Sequence, residues 1–245
     1  MTENIKDALV YAVDLAGKEE KIIRDASGRE WYDRNSFSLE ELKERRFYPE
    51  TLRLSTLTSL VDYVKSGLNG LLEQKLIVVV DNPKEVYIYT ENDDREKRTS
   101  LVNCEAIVPS FSFDRYYDME SFNIALQSRF VDSDDRSLVI DYASKISIEK
   151  GADIEDDGVS QITTIKNGVA SKGKAKAPNP VTLAPYRTFS EVKQPSSKFV
   201  FRIDKNGGLA LFEADGGAWR LDAVNNIADF LTAAFGGLDN ITVLA

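Results

Sequence analysis

The feature that most constrains the fold of this chain is a change of apolar periodicity near residue 75. Before this point, apolar residues recur at helical spacing and predict an amphipathic helix: Leu57, Leu60, Val61, Val64 and Leu68. After it, the runs LIVVV (76–80) and VYIYT (86–90) flank a turn that contains proline, which predicts a β-hairpin. Helices and hairpins in one chain favour an α+β fold.

Similar patterns predict the remaining elements. Further helices are indicated at residues 2–16, 37–46, 119–130 and 218–235. The run RSLVIDYASKISIEKG (136–151) fits a helix or a strand, and we favour the helix. Further strands are indicated at residues 102–108, 186–193, 198–204, 208–213 and 241–245. The dipeptide Asn167-Gly168 is typical of a type I′ hairpin turn.

These elements predict a single α+β domain, with a mostly antiparallel sheet, about four to five helices and a flexible basic hairpin arm. Residues 1–50 are predicted as an N-terminal helical segment. Residues 51–245 are predicted as the core domain, with a mobile loop near 170–180 because SKGKAKAPNP has no large apolar residue.

Composition excludes several kinds of catalytic site. The 245 residues include no histidine and one cysteine, Cys104, which removes His-dependent catalysis, His-ligated zinc and any disulfide within the chain. Cys104 falls on the apolar face of a predicted strand, so we expect a buried, unreactive thiol. We also expect no cofactor, and we favour a non-enzymatic protein over an enzyme.

The charge of the chain is unevenly distributed. The net charge is −9, yet residues 131–158 carry nine acids against three bases, and residues 166–205 carry nine bases against two acids. Such blocks attract each other or a partner of opposite charge. Five basic residues are therefore candidates for binding nucleic acid or a neighbouring subunit: Lys172, Lys174, Lys176, Arg187 and Lys193.

The stretch FEADGGAW (212–219) raises a choice between a ligand-binding turn and a structural hinge. The glycines permit a tight turn, Asp215 is placed to cap the following helix, and Trp219 is expected to pack on the preceding sheet. Because two acids beside this helix start would repel an anion, we favour a structural hinge formed by Asp215, Gly216, Gly217 and Trp219.

Two other groups of residues have a functional and a structural interpretation. The run DIEDDG (153–158) begins like a calcium loop but has Thr164 where the loop needs an acid, so we favour a solvated turn. A two-metal site remains an alternative for the acids Asp132, Asp134, Asp135, Asp156 and Asp157.

Four aromatic residues of the segment 111–117 are expected to pack in the core, with base stacking as the alternative: Phe111, Phe113, Tyr116 and Tyr117.

Several motifs, among them APYRTFSEV and FEADGGAW, resemble the YfdQ-like family of uncharacterised phage and prophage proteins. The resemblance covers most of the chain and implies a phage or prophage origin and action in the bacterial cytoplasm, but no catalytic residues. We expect no secretory signal and no membrane span. The favoured function is a non-enzymatic accessory protein that self-associates, with a host or phage protein as a further candidate partner. The alternatives are a nucleic-acid-binding factor in phage DNA recombination or replication, and a carboxylate–metal hydrolase.

Overall fold

The computed structural model describes residues 2–18, 22–33, 39–41, 48–93, 97–146, 154–156, 158, 161–166 and 172–245. These residues form five α-helices, one 3-10 helix and fourteen strands, and most strand pairs are antiparallel. The predicted α+β class is therefore confirmed. The chain divides into two compact units, the first of residues 1–48 with 92–97 and the second of residues 49–91 with 98–245.

The first unit contains one helix and a small antiparallel sheet. Its elements are α1 (Thr2–Lys18), β1 (Ile22–Arg24), β2 (Glu30–Asp33) and β3 (Leu39–Glu41). The helix predicted at 2–16 is confirmed. The helix predicted at 37–46 is wrong where the structure describes it, because Leu39–Glu41 pairs with β2 and this cross-strand pairing overrides a weak helical pattern.

The second unit begins with a five-stranded sheet, ordered β14-β5-β6-β7-β4. Its strands are β4 (Leu52–Leu54), β5 (Leu76–Asn82), β6 (Glu85–Thr90), β7 (Ser100–Glu105) and β14 (Ile241–Leu244). The sheet packs against α2 (Leu57–Lys65) and α5 (Trp219–Ala234), and a 3-10 helix (Leu68–Glu73) follows α2. Buried and half-buried residues alternate over residues 76–80 of β5 and throughout β6, as the predicted hairpin requires.

Cys104 lies in β7 and is fully buried, as predicted. Its Sγ donates a hydrogen bond to the carbonyl oxygen of Thr56 at 3.3 Å. Burial raises the pKa of the thiol to about 12, so the thiolate is scarce at neutral pH and the residue is a packing element.

A three-stranded antiparallel sheet forms the second core of this unit. Its strands are β11 (Val181–Leu183), β12 (Ser197–Ile203) and β13 (Leu209–Glu213). Helices α3 (Met119–Arg129) and α4 (Asp134–Lys145) contribute buried residues to the same core: Phe122, Leu126, Val139, Tyr142 and Ala143. The helix favoured for 136–151 is confirmed as far as Lys145, and the Ser133 hydroxyl caps it by accepting the Arg136 N–H at 3.1 Å.

The third sheet of the second unit is ordered β10-β9-β8, and its strands are β8 (Glu155–Asp156), β9 (Gln161–Lys166) and β10 (Lys172–Lys176). Residues 172–176 were predicted as loop but pair along β9 in a regular ladder. Lys166 pairs with Lys172, and the predicted turn at Asn167-Gly168 lies outside the described residues. Gln161 joins β9 to β12 by accepting the Ile203 N–H at 2.9 Å and donating to its carbonyl at 3.1 Å.

Candidate functional site

The segment before β12 positions Arg187 without forming a strand. The strand predicted at 186–193 is wrong, because the side chain of Gln194 takes the place of a strand partner. Its Oε1 accepts the N–H groups of Arg187 at 3.0 Å and Thr188 at 3.3 Å, while its Nε2 donates to the Phe189 carbonyl at 2.8 Å. Gln194 is buried, so these bonds hold the backbone at Arg187 in one conformation.

Arg187 itself is a buried cation, with 6% of its surface exposed. Its Nη1 donates to Glu213 Oε1 at 2.9 Å, and its Nη2 donates to the Pro195 carbonyl at 3.3 Å and to the Ser197 hydroxyl. The guanidinium carbon lies 3.8 Å from the ring centroid of Trp219, a close cation–π contact. Burial lowers the pKa of Arg187 to about 10 although Glu213 and Asp215 act to raise it, so the side chain stays charged at neutral pH.

The turn that leads from β13 into α5 carries Trp219 to this position. Gly216 and Gly217 have φ angles of +65° and +83°, a region that glycine enters without steric cost. Asp215 Oδ1 accepts the Gly217 N–H at 3.0 Å, and Oδ2 accepts the Ser197 hydroxyl at 2.6 Å. Burial raises the pKa of Asp215, but hydrogen bonds from Ser197 and from the backbone of Gly217 and Trp219 outweigh it and hold the pKa below its ordinary value.

Asp215 is not the N-cap residue of α5, in contrast to the prediction from the sequence. The N-cap residue of α5 is Ala218, which has no side chain that could accept a hydrogen bond. Asp215 lies three residues earlier and still accepts hydrogen bonds from N–H groups at the start of the helix. The turn residues and Arg187, considered separately in the sequence, therefore form one cluster.

A cavity of about 370 Å³ opens beside this cluster, and we call it the Arg187 cavity. Its charged lining residues are Lys84, Arg129, Arg187, Arg220 and Glu213. Its remaining lining residues are mostly apolar or aromatic: Val108, Pro109, Ser110, Phe111, Phe113, Pro185, Tyr186 and Trp219. Four cations against one acid give the cavity a positive potential on a chain whose net charge is −9.

Two of the lining residues each carry a buried donor that has no acceptor among the described residues: the Nε–H of Arg187 and the indole N–H of Trp219. Arg187 and Trp219 are both more than nine-tenths buried, and the two groups belong to one stacked pair. A buried N–H without a partner costs about 1–3 kcal/mol of folding free energy. A ligand oxygen that accepts hydrogen bonds from these donors would remove this cost.

The five basic residues predicted as a binding surface fall in two segments of the chain, β10 and the connection between β11 and β12. Lys172, Lys174 and Lys176 occupy alternate positions of β10, an edge strand among the described strands, and so fall on one face of it. Lys176 and Lys193 are exposed. Arg187 is buried in the ion pair with Glu213 and does not belong to an exposed basic surface. We call Lys172, Lys174 and Lys176 the β10 lysines.

The acidic block has partners within its own chain. Asp132 pairs with Arg136 at 2.5 Å, Asp141 with Lys145 at 2.6 Å, and Asp156 with Arg202 at 3.4 Å. Asp135 accepts the Thr182 N–H at 2.6 Å. Among the residues that the structure describes, no group of three acids or thiols could hold a metal ion, and Asp157 lies outside them.

The aromatic residues of the segment 111–117 divide into two kinds. Phe111 stacks on Tyr117 with centroids 5.2 Å apart, and Phe113 stacks on Phe199 at 5.2 Å. These rings extend the core, as the structural interpretation expects. Tyr116 is 43% exposed and contacts Phe212 edge to face. Base stacking would therefore have to use Tyr116 rather than the other three.

Sequence reasoning missed most of the residues around Arg187. Lys84, Arg129 and Arg220 carry no periodic signal, because a charged residue on a turn or helix end is common in any soluble chain. Ser197 and Gln194 are likewise ordinary in sequence. The available signal was the aromatic and proline context of Arg187 and the Gly-Gly turn before Trp219.

Comparisons of the chain with models of protein families, with curated proteins and with solved structures find no match. Among the described helices, none is long and apolar enough to cross a membrane.

Proposed function

We propose that this chain is a non-enzymatic binding protein that captures a carboxylate or phosphate group in the Arg187 cavity. The resemblance to the YfdQ-like family supports an accessory role for such a protein in a phage or prophage. The observation that carries the proposal is the pair of buried donors, Arg187 Nε–H and Trp219 indole N–H, which belong to two residues that line a cavity rich in cations. One anionic group offers the oxygen acceptors for both donors.

The lining of the cavity favours binding over catalysis. Its groups are cations, a carboxylate engaged with Arg187, the polar side chains of Ser110 and Tyr186, and apolar side chains. Arg187 is held on Glu213, Ser197 and the Trp219 ring, so it is preorganised and loses little freedom when a ligand arrives. Two further cations belong to the lining. Arg129 donates a hydrogen bond to the Ser110 carbonyl, and the guanidinium carbon of Arg220 lies 5.0 Å from the ring centroid of Trp219.

The test is calorimetric titration of the purified protein with acetate and with inorganic phosphate. Replacing Trp219 by Phe removes the indole N–H and keeps an aromatic ring beneath the guanidinium. Because a hydrogen bond to a charged group contributes about 1.5–3 kcal/mol, we expect Trp219→Phe to weaken binding roughly tenfold or more.

The chain offers a matched control in its other tryptophan. Trp31 donates its indole N–H to Asp25 at 3.2 Å in the first unit, so Trp31→Phe is expected to leave anion affinity unchanged. Failure of both anions to bind the wild-type protein, or equal affinity in Trp219→Phe, would refute the proposal.

A second candidate function uses the β10 lysines. Alternate residues of a strand share one face, and three basic residues in this pattern favour contact with the phosphates of a nucleic acid or with acids of a neighbouring subunit. The competing explanation is that lysines on an edge strand prevent edge-to-edge aggregation. The ion pair between Asp156 and Arg202 also weakens the case for self-association, since the two charge blocks already meet within one chain.

A further inference from the structure

A second cavity adjoins the Arg187 cavity, and the pair limits the kind of ligand that fits. This adjoining cavity of about 540 Å³ is lined by Arg53, Leu54, Lys84, Asn103, Glu105, Ala106, Ile107 and Val108. Lys84 and Val108 line both cavities, so the two form neighbouring parts of one surface in the second unit. Together they hold five cations and two acids.

The segment between the cavities is unusually apolar for an exposed loop. Ile107 is 86% exposed, the highest value among the large apolar side chains that the structure describes. Val108, the next residue, is half-buried and lines both cavities, and Pro109 after it is also exposed. An aliphatic side chain in water beside a set of cations fits a partner that is both acidic and apolar.

The rings of the Arg187 cavity are poorly available for stacking with nucleobases. Phe111 and Phe113 stack on Tyr117 and Phe199, and the guanidinium of Arg187 covers a face of Trp219. Tyr186 is 40% exposed, but single-strand recognition uses several stacking rings along a basic groove. Glu105 and Glu213 can accept hydrogen bonds from the main-chain N–H groups of a peptide, which the backbone of a nucleic acid does not carry.

We infer that the partner is an acidic peptide segment of another protein. A carboxylate of the peptide binds at the Arg187 cavity, and an aliphatic side chain beside it packs on Ile107 at the mouth of the adjoining cavity. Lys84, which lines both cavities, contributes to holding the acidic residue. This inference rests on the proposed function, because the carboxylate is the anionic group that the Arg187 cavity captures.

The experiment is selection of a displayed library of random twelve-residue peptides on the immobilised full-length protein. We expect enrichment of peptides in which Asp or Glu adjoins Leu, Ile, Val or Phe. The most enriched peptide is then synthesised with a fluorescent label, both as selected and with its acid changed to the amide. The amide form is expected to bind at least tenfold more weakly.

Matched variants test where the peptide binds. Ile107→Ser and Lys84→Glu are each expected to weaken the selected peptide at least tenfold. Ile124→Ser and Lys198→Glu change equivalent exposed residues outside both cavities and are expected to have no effect. No enrichment over an unselected library, enrichment without acidic residues, or unchanged affinity in both cavity variants would overturn the inference.

A twelve-nucleotide thymidine strand serves as the competing probe. If it displaces the peptide and its binding is lost in Lys84→Glu, the site belongs to nucleic acid and the inference is wrong. Titration of the same preparations with acetate and phosphate separates the two proposals. Small-anion binding without peptide binding overturns this inference alone, whereas loss of both overturns the proposed function as well.

Discussion

At the scale of single residues, the two glycines of the β13–α5 turn make separable contributions. Both have positive φ, so we expect Gly216→Ala and Gly217→Ala to lower the free energy of unfolding by about 1–2 kcal/mol each. A Cβ at Gly217 would lie 2.1 Å from Nη1 of Arg220, whereas a Cβ at Gly216 meets no atom within 4 Å. Gly217→Ala must therefore displace Arg220, which lines the Arg187 cavity.

This difference gives one prediction with an internal control. Urea unfolding should show similar destabilisation of the two variants, while titration with phosphate should show weaker binding in Gly217→Ala than in Gly216→Ala. Equal phosphate affinity in the two variants would mean that Arg220 does not contribute to the site.

At the scale of elements, the edge strand β10 tests the second candidate function. The triple change of the β10 lysines to Glu reverses the charge of one strand face without altering a backbone pair, since strand pairing uses main-chain groups. If these lysines contact phosphates, fluorescence anisotropy should show salt-sensitive oligonucleotide binding by the wild-type protein and none by the variant.

The control is the same triple change to Gln, which removes charge without adding acids. It is expected to give an intermediate affinity. If oligonucleotide binding persists in the Glu variant, the β10 lysines do not contact nucleic acid. The remaining explanation is that they prevent edge-to-edge strand pairing.

The elements also show how far the sequence could predict this molecule. The hairpin of β5 and β6 was predictable because its apolar alternation is local. The segment 186–193 was not, because the partner of its backbone is the side chain of Gln194 and no local pattern encodes that contact. The contact of Arg187 with Trp219 was missed for the same reason, although each residue had been singled out: tertiary proximity of two distant positions has no periodic signal.

At the scale of the whole molecule, Cys104 reports the cooperativity of the second unit. The chain has a single cysteine, which is fully buried and whose pKa burial raises to about 12. A disulfide reagent can then react only through an opening of the structure that exposes β7. We expect labelling of the native protein to be slower than that of the urea-unfolded chain by at least about a thousandfold, the low end of the equilibrium constants of small domains.

The same thiol tests whether the Arg187 cluster and the five-stranded sheet unfold together. Helix α5 starts at the cluster and packs on β5 and β14, so destabilising its first turn should loosen the sheet that contains Cys104. If opening is global, Gly216→Ala should accelerate labelling about tenfold for each 1.4 kcal/mol that urea unfolding assigns to it. Labelling at the wild-type rate in this variant would mean that Cys104 reacts through a local opening of β7, and that the cluster belongs to a separate cooperative unit.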